Sequence, residues 1–486
     1  VQPYESPNEI PNGAGAPEFT IRAVFARMVA KGIGAVIGLM AVVALGMAAY
    51  FSVRLAQADA AFRAGDPAAV ARAVSLMPQN TAFLLLRALQ VDYDGGDATP
   101  LLEQVAKLNP ASSAARIRLG LAAEGRGDQA GAERWLVDAA RVDHQFEPRW
   151  TLANFYFRAG KTDEFWRWMK QALEVSYGDR KLAFDLCWRV AEAAGVAPLS
   201  GPLSGPLSGP LSGPLSGSGS DAVNEILRRA LPEARKGDGP RDTTGAFLGY
   251  VLVRQPVMAG PVALRFAEFA GAGSSELMGG ALDVLIDHGK EEDAWQVWTK
   301  LGGTAEPDLL TGDFRARVGS QALTGHGFDW RWSRAEGVRQ LQLEPNGHRA
   351  VLTGKQLEAV ELGRKAVKVR AGATYELHWD ASASGGIAGE RVGVRPSRGA
   401  PAASSASGIV WEVRTGSGDG AQVLTNAPVE AGEGGVRFRA ADDFVSLFLM
   451  YRRPEGQARG EGSLDLRRVE IRPVVIGDGN APGGKP

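Results

Sequence analysis

The spacing of apolar and polar positions changes character along the chain, and each change predicts a different kind of element. From Gly32 to Val53 the run GIGAVIGLMAVVALGMAAYFSV carries no charge and no strongly polar side chain until Ser52. A helix of that length rises roughly 33 Å against a hydrocarbon core of about 30 Å, so the run predicts one membrane-spanning helix over 32–53. A cleaved secretory signal has a shorter apolar core, roughly 7–15 residues, and the length of this run argues against one. Ahead of it, EFTIRAVFARMVAK (18–31) gathers Phe19, Ile21, Val24, Phe25, Met28 and Val29 on one broad helical face, the pattern of an interfacial helix. Residues 1–17, rich in Pro, Gly, Asn and Glu, cannot bury a core and predict an extended or disordered tail.

Over 54–197 the apolar period is helical and interrupted at intervals. The segments RAGDPAAVARAVSLMPQN, DGGDATPLLEQVAKLNPAS, GRGDQAGAERWLVDAARVDHQ and RAGKTDEFWRWMKQALEVSY each have a glycine turn, an amphipathic helix and a break. Their turn glycines Gly65, Gly96, Gly127 and Gly160 are 31, 31 and 33 residues apart. Pro198 to Gly217 then reads PLSG five times, which excludes helix or buried strand and marks an exposed linker over 198–220. Short amphipathic helices resume over 221–315, so the linker reads as an insertion in one helical array. From about Phe328 the period falls to 2: FDWRWS, VRQLQLE, HRAVLTG, KAVKVRAGATYELHWDAS, IVWEVR, VRFRA, DFVSLFLMYRR and GSLDLRRVEIRPV are short strands between Gly, Ser and Pro. They predict an antiparallel two-sheet β-sandwich over 325–474, followed by a flexible tail over 475–486.

The helical repeats resemble the tetratricopeptide family, whose period is about 34 residues. Ala69 and Ala132 stand where its helices pack closely, and Pro78 and Pro110 close second helices as that family's proline does. The resemblance implies a solenoid with a surface for protein partners. The strand-rich segment resembles the carbohydrate-binding jelly rolls of the galactose-binding-like type, on VKVRAGATYELHWDASA, DDFVSLFLMYRRP and GSLDLRRVEIRPV, with Asp465 in the closing strand. The fold class expected is therefore multidomain α + β: one transmembrane helix, a tetratricopeptide-like helical solenoid and a C-terminal antiparallel jelly-roll sandwich.

Three sets of residues are candidates for binding. Gly34 and Gly38, with Gly46 two turns on, let a second membrane helix approach closely. Trp150, Tyr156, Trp166 and Trp168 belong to an aromatic cluster that is either core between helices or a groove for a partner segment. Trp330, Trp332, Tyr375, Trp379 and Trp411 are either sandwich core or a platform for sugar rings. Alternation in FDWRWS points Phe328, Trp330 and Trp332 the same way.

Composition narrows the function. The net charge of −1 offers no basic surface for nucleic acid. Cys187 is the sole cysteine, so an intrachain disulfide or cysteine metal cluster cannot form, and the scattered histidines make no zinc motif. Phosphate loop, nucleotide fingerprint, nucleophile elbow and converging carboxylate pair are all missing from the pattern, so no cofactor and no catalysis are expected. Arg22, Arg27 and Lys31 precede the span and Arg54 and Arg63 follow it, a bias toward a cytoplasmic N-terminus. The expectation is a non-enzymatic scaffold, single-pass in a bacterial inner membrane with its bulk in the periplasm. Its repeats would hold proteins and its sandwich either protein or polysaccharide, as an accessory subunit of an inner-membrane complex or in surface-polysaccharide assembly. The competing expectation is a polysaccharide-active enzyme with its site on the sandwich.

Overall fold

The structure is a computed structural model that describes residues 18–195, 219–231, 238–269, 275–303, 325–343, 347–388, 390–391, 406–418 and 420–474. The expected tails 1–17 and 475–486, the PLSG repeats and the end of the helical array beyond 303 lie outside the described residues. The chain divides into two compact units, Val1–His144 and Gln145–Pro486.

The first unit is helical: α1 (Glu18–Ala64), α2 (Pro67–Leu76), α3 (Thr81–Tyr93), α4 (Thr99–Leu108), α5 (Ser113–Gly125) and α6 (Gln129–Val142). The expected interfacial and membrane segments are one uninterrupted helix, because no proline falls within α1 and its glycines do not break it. Among the described residues α1 is the one helix long and apolar enough to cross a membrane, and its side chains from Lys31 to Val53 are exposed. It ends where the chemistry of RAGDP dictates. Gly65 takes φ +76°, which suits a residue lacking Cβ, the Asp66 carboxylate accepts the Ala69 N–H at 2.9 Å, and Pro67 opens α2.

α2 then returns along α1, and small residues let the pair close: Ala58 and Ala73 are fully buried against Phe83, with Phe62, Leu76 and Met77 beside them. The same plan recurs. Leu84, Ala88, Leu102, Val105, Ala115 and Leu119 form the core of α3, α4 and α5, while Asn80, Ser112 and Asp128 cap α3, α5 and α6. One turn differs from expectation: Gly95, not Gly96, holds the positive φ, and the Gly96 N–H donates back to Val91 O at 2.8 Å.

The second unit continues with α7 (Phe146–Arg158), α8 (Thr162–Val175), α9 (Lys181–Gly195), α10 (Gly219–Arg229), α11 (Asp238–Arg254), α12 (Ala259–Ala267), α13 (Ser275–Asp287) and α14 (Glu291–Lys300). Neighbouring helices pair as α7 with α8, α9 with α10, α11 with α12 and α13 with α14, so this part too is built of helical hairpins. Its strands are β1 (Arg331–Trp332), β2 (Val338–Leu343), β3 (Gly347–Thr353), β4 (Ala359–Lys368), β5 (Thr374–Gly385), β6 (Glu390–Arg391), β7 (Ala406–Thr415), β8 (Val423–Pro428), β9 (Gly432–Arg439), β10 (Phe444–Arg452) and β11 (Glu461–Pro473).

They form two antiparallel sheets, one ordered β1-β4-β10-β7-β6 with β8 beside β7, the other β2-β3-β11-β5-β9. Period-2 alternation turns Leu377, Trp411, Val413, Leu447, Leu449, Leu464 and Leu466 into the space between the sheets, where all are buried. The outer face of the first sheet is covered in turn by α13 and α14: Trp295 packs edge-on to Phe328, at 5.0 Å between ring centroids, and both lie near Phe444.

Candidate functional site

Where α13 meets β1 and β4 a cleft of about 530 Å3 opens, lined by Asp283, His326, Arg331, Trp332, Glu361 and Arg364 among others. Three local features converge to build it. Asp283 and Asp287 are four residues apart on α13 and so share one face of the helix. Arg331 and Arg364 are direct register partners on β1 and β4, which sets their guanidinium groups side by side.

The third feature is a bulge. Leu449 pairs with Gly363 but Met450 pairs with Glu361, leaving Leu362 as an extra residue on β4. Val360 and Leu362 face the sandwich core before the bulge, Val367 and Val369 beyond it. The change of parity aims Arg364 out at α13 and turns Lys365 inward.

The resulting contacts are dense. Arg331 grips Asp287 with both terminal nitrogens, each at 3.0 Å, and Arg364 reaches the same carboxylate at 2.8 and 3.0 Å. The Asp283 carboxylate accepts the Gly327 N–H at 2.8 Å and meets His326 Nδ1 at 2.7 Å and Arg331 Nε at 3.2 Å. Glu361 lies 3.4 Å from Arg364 Nε; burial pushes its carboxyl above the usual range, against the pull of Arg364 and Arg331. Lys365 donates to Phe328 O at 2.8 Å, and burial lowers its ammonium to about 8.

Charge in this cleft is therefore spent within the protein, two guanidinium groups against the carboxylates of α13. The arrangement is a clasp between helix and sheet. Among the described residues no group of three or more His, Cys, Asp or Glu side chains could hold a metal ion.

The aromatic residues expected to form a sugar platform are placed otherwise. Trp330, Tyr375, Trp379 and Trp411 are at most 5% exposed, as core between the sheets. Trp332 is half-buried, with Trp330 stacked at 5.1 Å and His348 at 3.5 Å, so neither of its faces is open to a sugar ring. The shared direction expected of Phe328, Trp330 and Trp332 holds for the two tryptophans, which stack on each other, and fails for Phe328. β1 is only two residues long and the chain before it turns, so Phe328 packs toward α14 while Trp330 packs against Trp411.

The expected partner groove is likewise largely core. Tyr156 and Trp166 are buried between α7 and α8, whose apolar faces close on each other. Trp150, stacked on Phe146 at 5.8 Å, and Trp168, with the Arg167 guanidinium 5.5 Å from its ring, are half-buried. Gly34, Gly38 and Gly46 lie on the exposed part of α1, and a Cβ built at any of them meets nothing within 4 Å.

In the first unit a second cleft, about 450 Å3, opens between the α3–α4 turn and α5, lined by Asp92, Asp97, Arg118, Leu121 and Arg126 among others. Leu121 is exposed there beside Arg118, whose guanidinium lies 3.7 Å from Asp92, so the surface mixes apolar side chains with charges of both signs. Trp330 and Trp332 apart, the residues lining the two clefts do not stand out in the sequence. The available signals were the acidic pair of ALDVLIDHG on an otherwise apolar helix and an arginine between two tryptophans in WRW.

No family model matches the chain, and no curated protein matches it. Similar solved structures include the MamA protein, at 15% identity over 42% of this chain and 94% of that one with a TM-score of 0.28. The Cut9–Hcn1 hetero-tetramer of the APC/C matches at 13% identity over 44% and 39%, with a TM-score of 0.25. The TPR domain of P58(IPK) matches at 13% identity over 51% and 82%, with a TM-score of 0.16.

Proposed function

We propose that this chain is a membrane-anchored scaffold, without catalysis of its own, that holds protein partners on its helical hairpins. The observation that carries the reading is the continuity of α1. One helix runs through the exposed apolar stretch and, without a break, buries Ala58 in the first hairpin. A tether made this way passes position and orientation directly to the repeats. The bias of Arg22, Arg27 and Lys31 supports a cytoplasmic N-terminus, leaving the repeats and the sandwich in the periplasm of a bacterial cell, as an accessory subunit of an inner-membrane complex or of surface-polysaccharide assembly.

The sandwich, with strands interleaved as in a jelly roll, fits this reading as a module fixed to the α13–α14 hairpin by the Asp287 clasp. Its buried aromatics give no support to glycan binding. The test is purification of the full chain from native membranes in mild detergent, with co-purifying proteins identified by mass spectrometry. A stoichiometric partner set that is depleted by Arg118→Glu with Leu121→Glu is expected. A solitary monomer would contradict the proposal.

A further inference from the structure

We infer that one edge of the first unit lies in the acidic headgroup layer of the bilayer. The inference rests on α1 being a span and adds where the scaffold touches lipid. With the apolar run ending at Val53, Arg54 stands at the boundary, 6.0 Å from the Tyr50 ring centroid and 3.5 Å from Ser75 O at the end of α2. Ala58, four residues or about 6 Å further along α1, packs with Leu76 and Met77. The turn after α2 is therefore held at the height of the headgroups.

The next two turns are tied to that one. Gln104 donates to Pro78 O at 3.3 Å, bringing the second half of α4 beside it, and Ser113 bonds Asp143 at 2.7 Å, bringing the end of α6 beside the start of α5. These three turns make one edge. Along it α2, α4 and α6 end on Leu76, Leu108 and Val142; Leu108 and Val142 are 41% and 38% exposed. Lys107 and Arg141 precede the last two, Arg141 sharing its charge with Asp138.

The opposite edge, the length of the ten-residue α2 or about 15 Å away, has the contrary character. The helices that start there donate N-terminal N–H groups to Asp66, Asp97 and Asp128, with Asp92 and Asp94 nearby, and the carboxylates there outnumber the guanidinium groups of Arg63, Arg118 and Arg126. The helices that start on the membrane edge are capped by Asn80 and Ser112. Asp, Asn and Ser cap about equally well, so helix stability does not require this sorting. A layer of acidic headgroups against one edge accounts for it, repelling carboxylates and attracting Arg54, Lys107 and the apolar helix tips, while the two carboxylates that do lie along that edge, Asp143 and Asp138, are bonded to Ser113 and Arg141.

The full chain in vesicles containing phosphatidylglycerol tests this with a polarity-sensitive fluorophore on single introduced cysteines, Cys187 being fully buried. Ala111→Cys samples the membrane edge, Gln129→Cys the far edge and Val43→Cys the span. With nitroxide on the lipid headgroups, the label at 111 loses most of its fluorescence and the label at 129 keeps it. The loss at 111 shrinks in Lys107→Glu and in wholly zwitterionic vesicles. Equal quenching at 111 and 129 overturns the inference while an acyl-chain nitroxide that still quenches at 43 leaves the span standing. An unquenched 43 removes the span and the inference together. Quenching at 111 indifferent to Lys107→Glu and to lipid charge overturns the assignment to acidic headgroups.

Discussion

Two joints in this molecule are built on opposite principles. The α1–α2 hairpin closes on Ala58 and Ala73, side chains with no rotamers to freeze, and its turn is fixed locally by Gly65 and the Asp66 side-chain cap. The seam between α13–α14 and the sandwich closes on large rings and on a carboxylate gripped by two guanidinium groups. The first joint buries only apolar side chains and keeps its charges, Asp59 paired with Arg63 and Asp66 capping α2, at the exposed rim, so its stability should follow pH and salt less than that of the second. The second depends on ionisation and on residues far apart in sequence, so it should yield first when charge is changed.

The largest expected effect that separates them is at the seam. Phe328→Ala removes a buried ring from between Trp295, Trp298 and Phe444 and should cost about 3–5 kcal/mol, read as a fall in the unfolding midpoint of the second unit alone. Asp287→Ala leaves two guanidinium groups without their shared carboxylate. Because the pairs are partly solvated, the cost should be about 2–3 kcal/mol, below that of a fully buried pair, and it should diminish in high salt.

A pH series sharpens the contrast further. Burial holds the His348 imidazole down to about 4, below its ordinary 6.5. The unfolded chain then binds more protons than the folded one between those values, so stability is lost as pH falls from 6.5 to 4, by about 2–3 kcal/mol at most. Lys365 works the same way at the other end: held at about 8, it makes stability rise as pH rises from 8 toward 10.5. His348→Gln should flatten the acid limb seen by sandwich tryptophan fluorescence, leaving the first unit's unfolding unchanged. The smallest effect is Asp66→Ala, which removes a cap from α2 and should cost about 1 kcal/mol in the first unit with little dependence on salt.

The two joints also differ in how far sequence reveals them. RAGDP specifies its turn within five residues, and a charge-free run of membrane length needs no tertiary knowledge to be noticed. Strand alternation likewise foreshadows a sandwich. The seam is different in kind. Asp287 meets Arg331 and Arg364 across 44 and 77 residues, and Arg364 points that way only because Leu362 bulges out of register. Periodicity reports that Trp330 and Trp411 share a core-type pattern but not which side the chain turns Trp330 to as it enters the two-residue β1. Nor does it reveal that His348 and Trp330 cover both faces of Trp332.

The central claim, that α1 carries the scaffold as an integral membrane anchor, is tested most directly by alkaline carbonate extraction of membranes containing the full chain. The account predicts that the chain stays in the membrane pellet and that a version lacking residues 32–53 is released. Recovery of the full chain in the soluble fraction would contradict it.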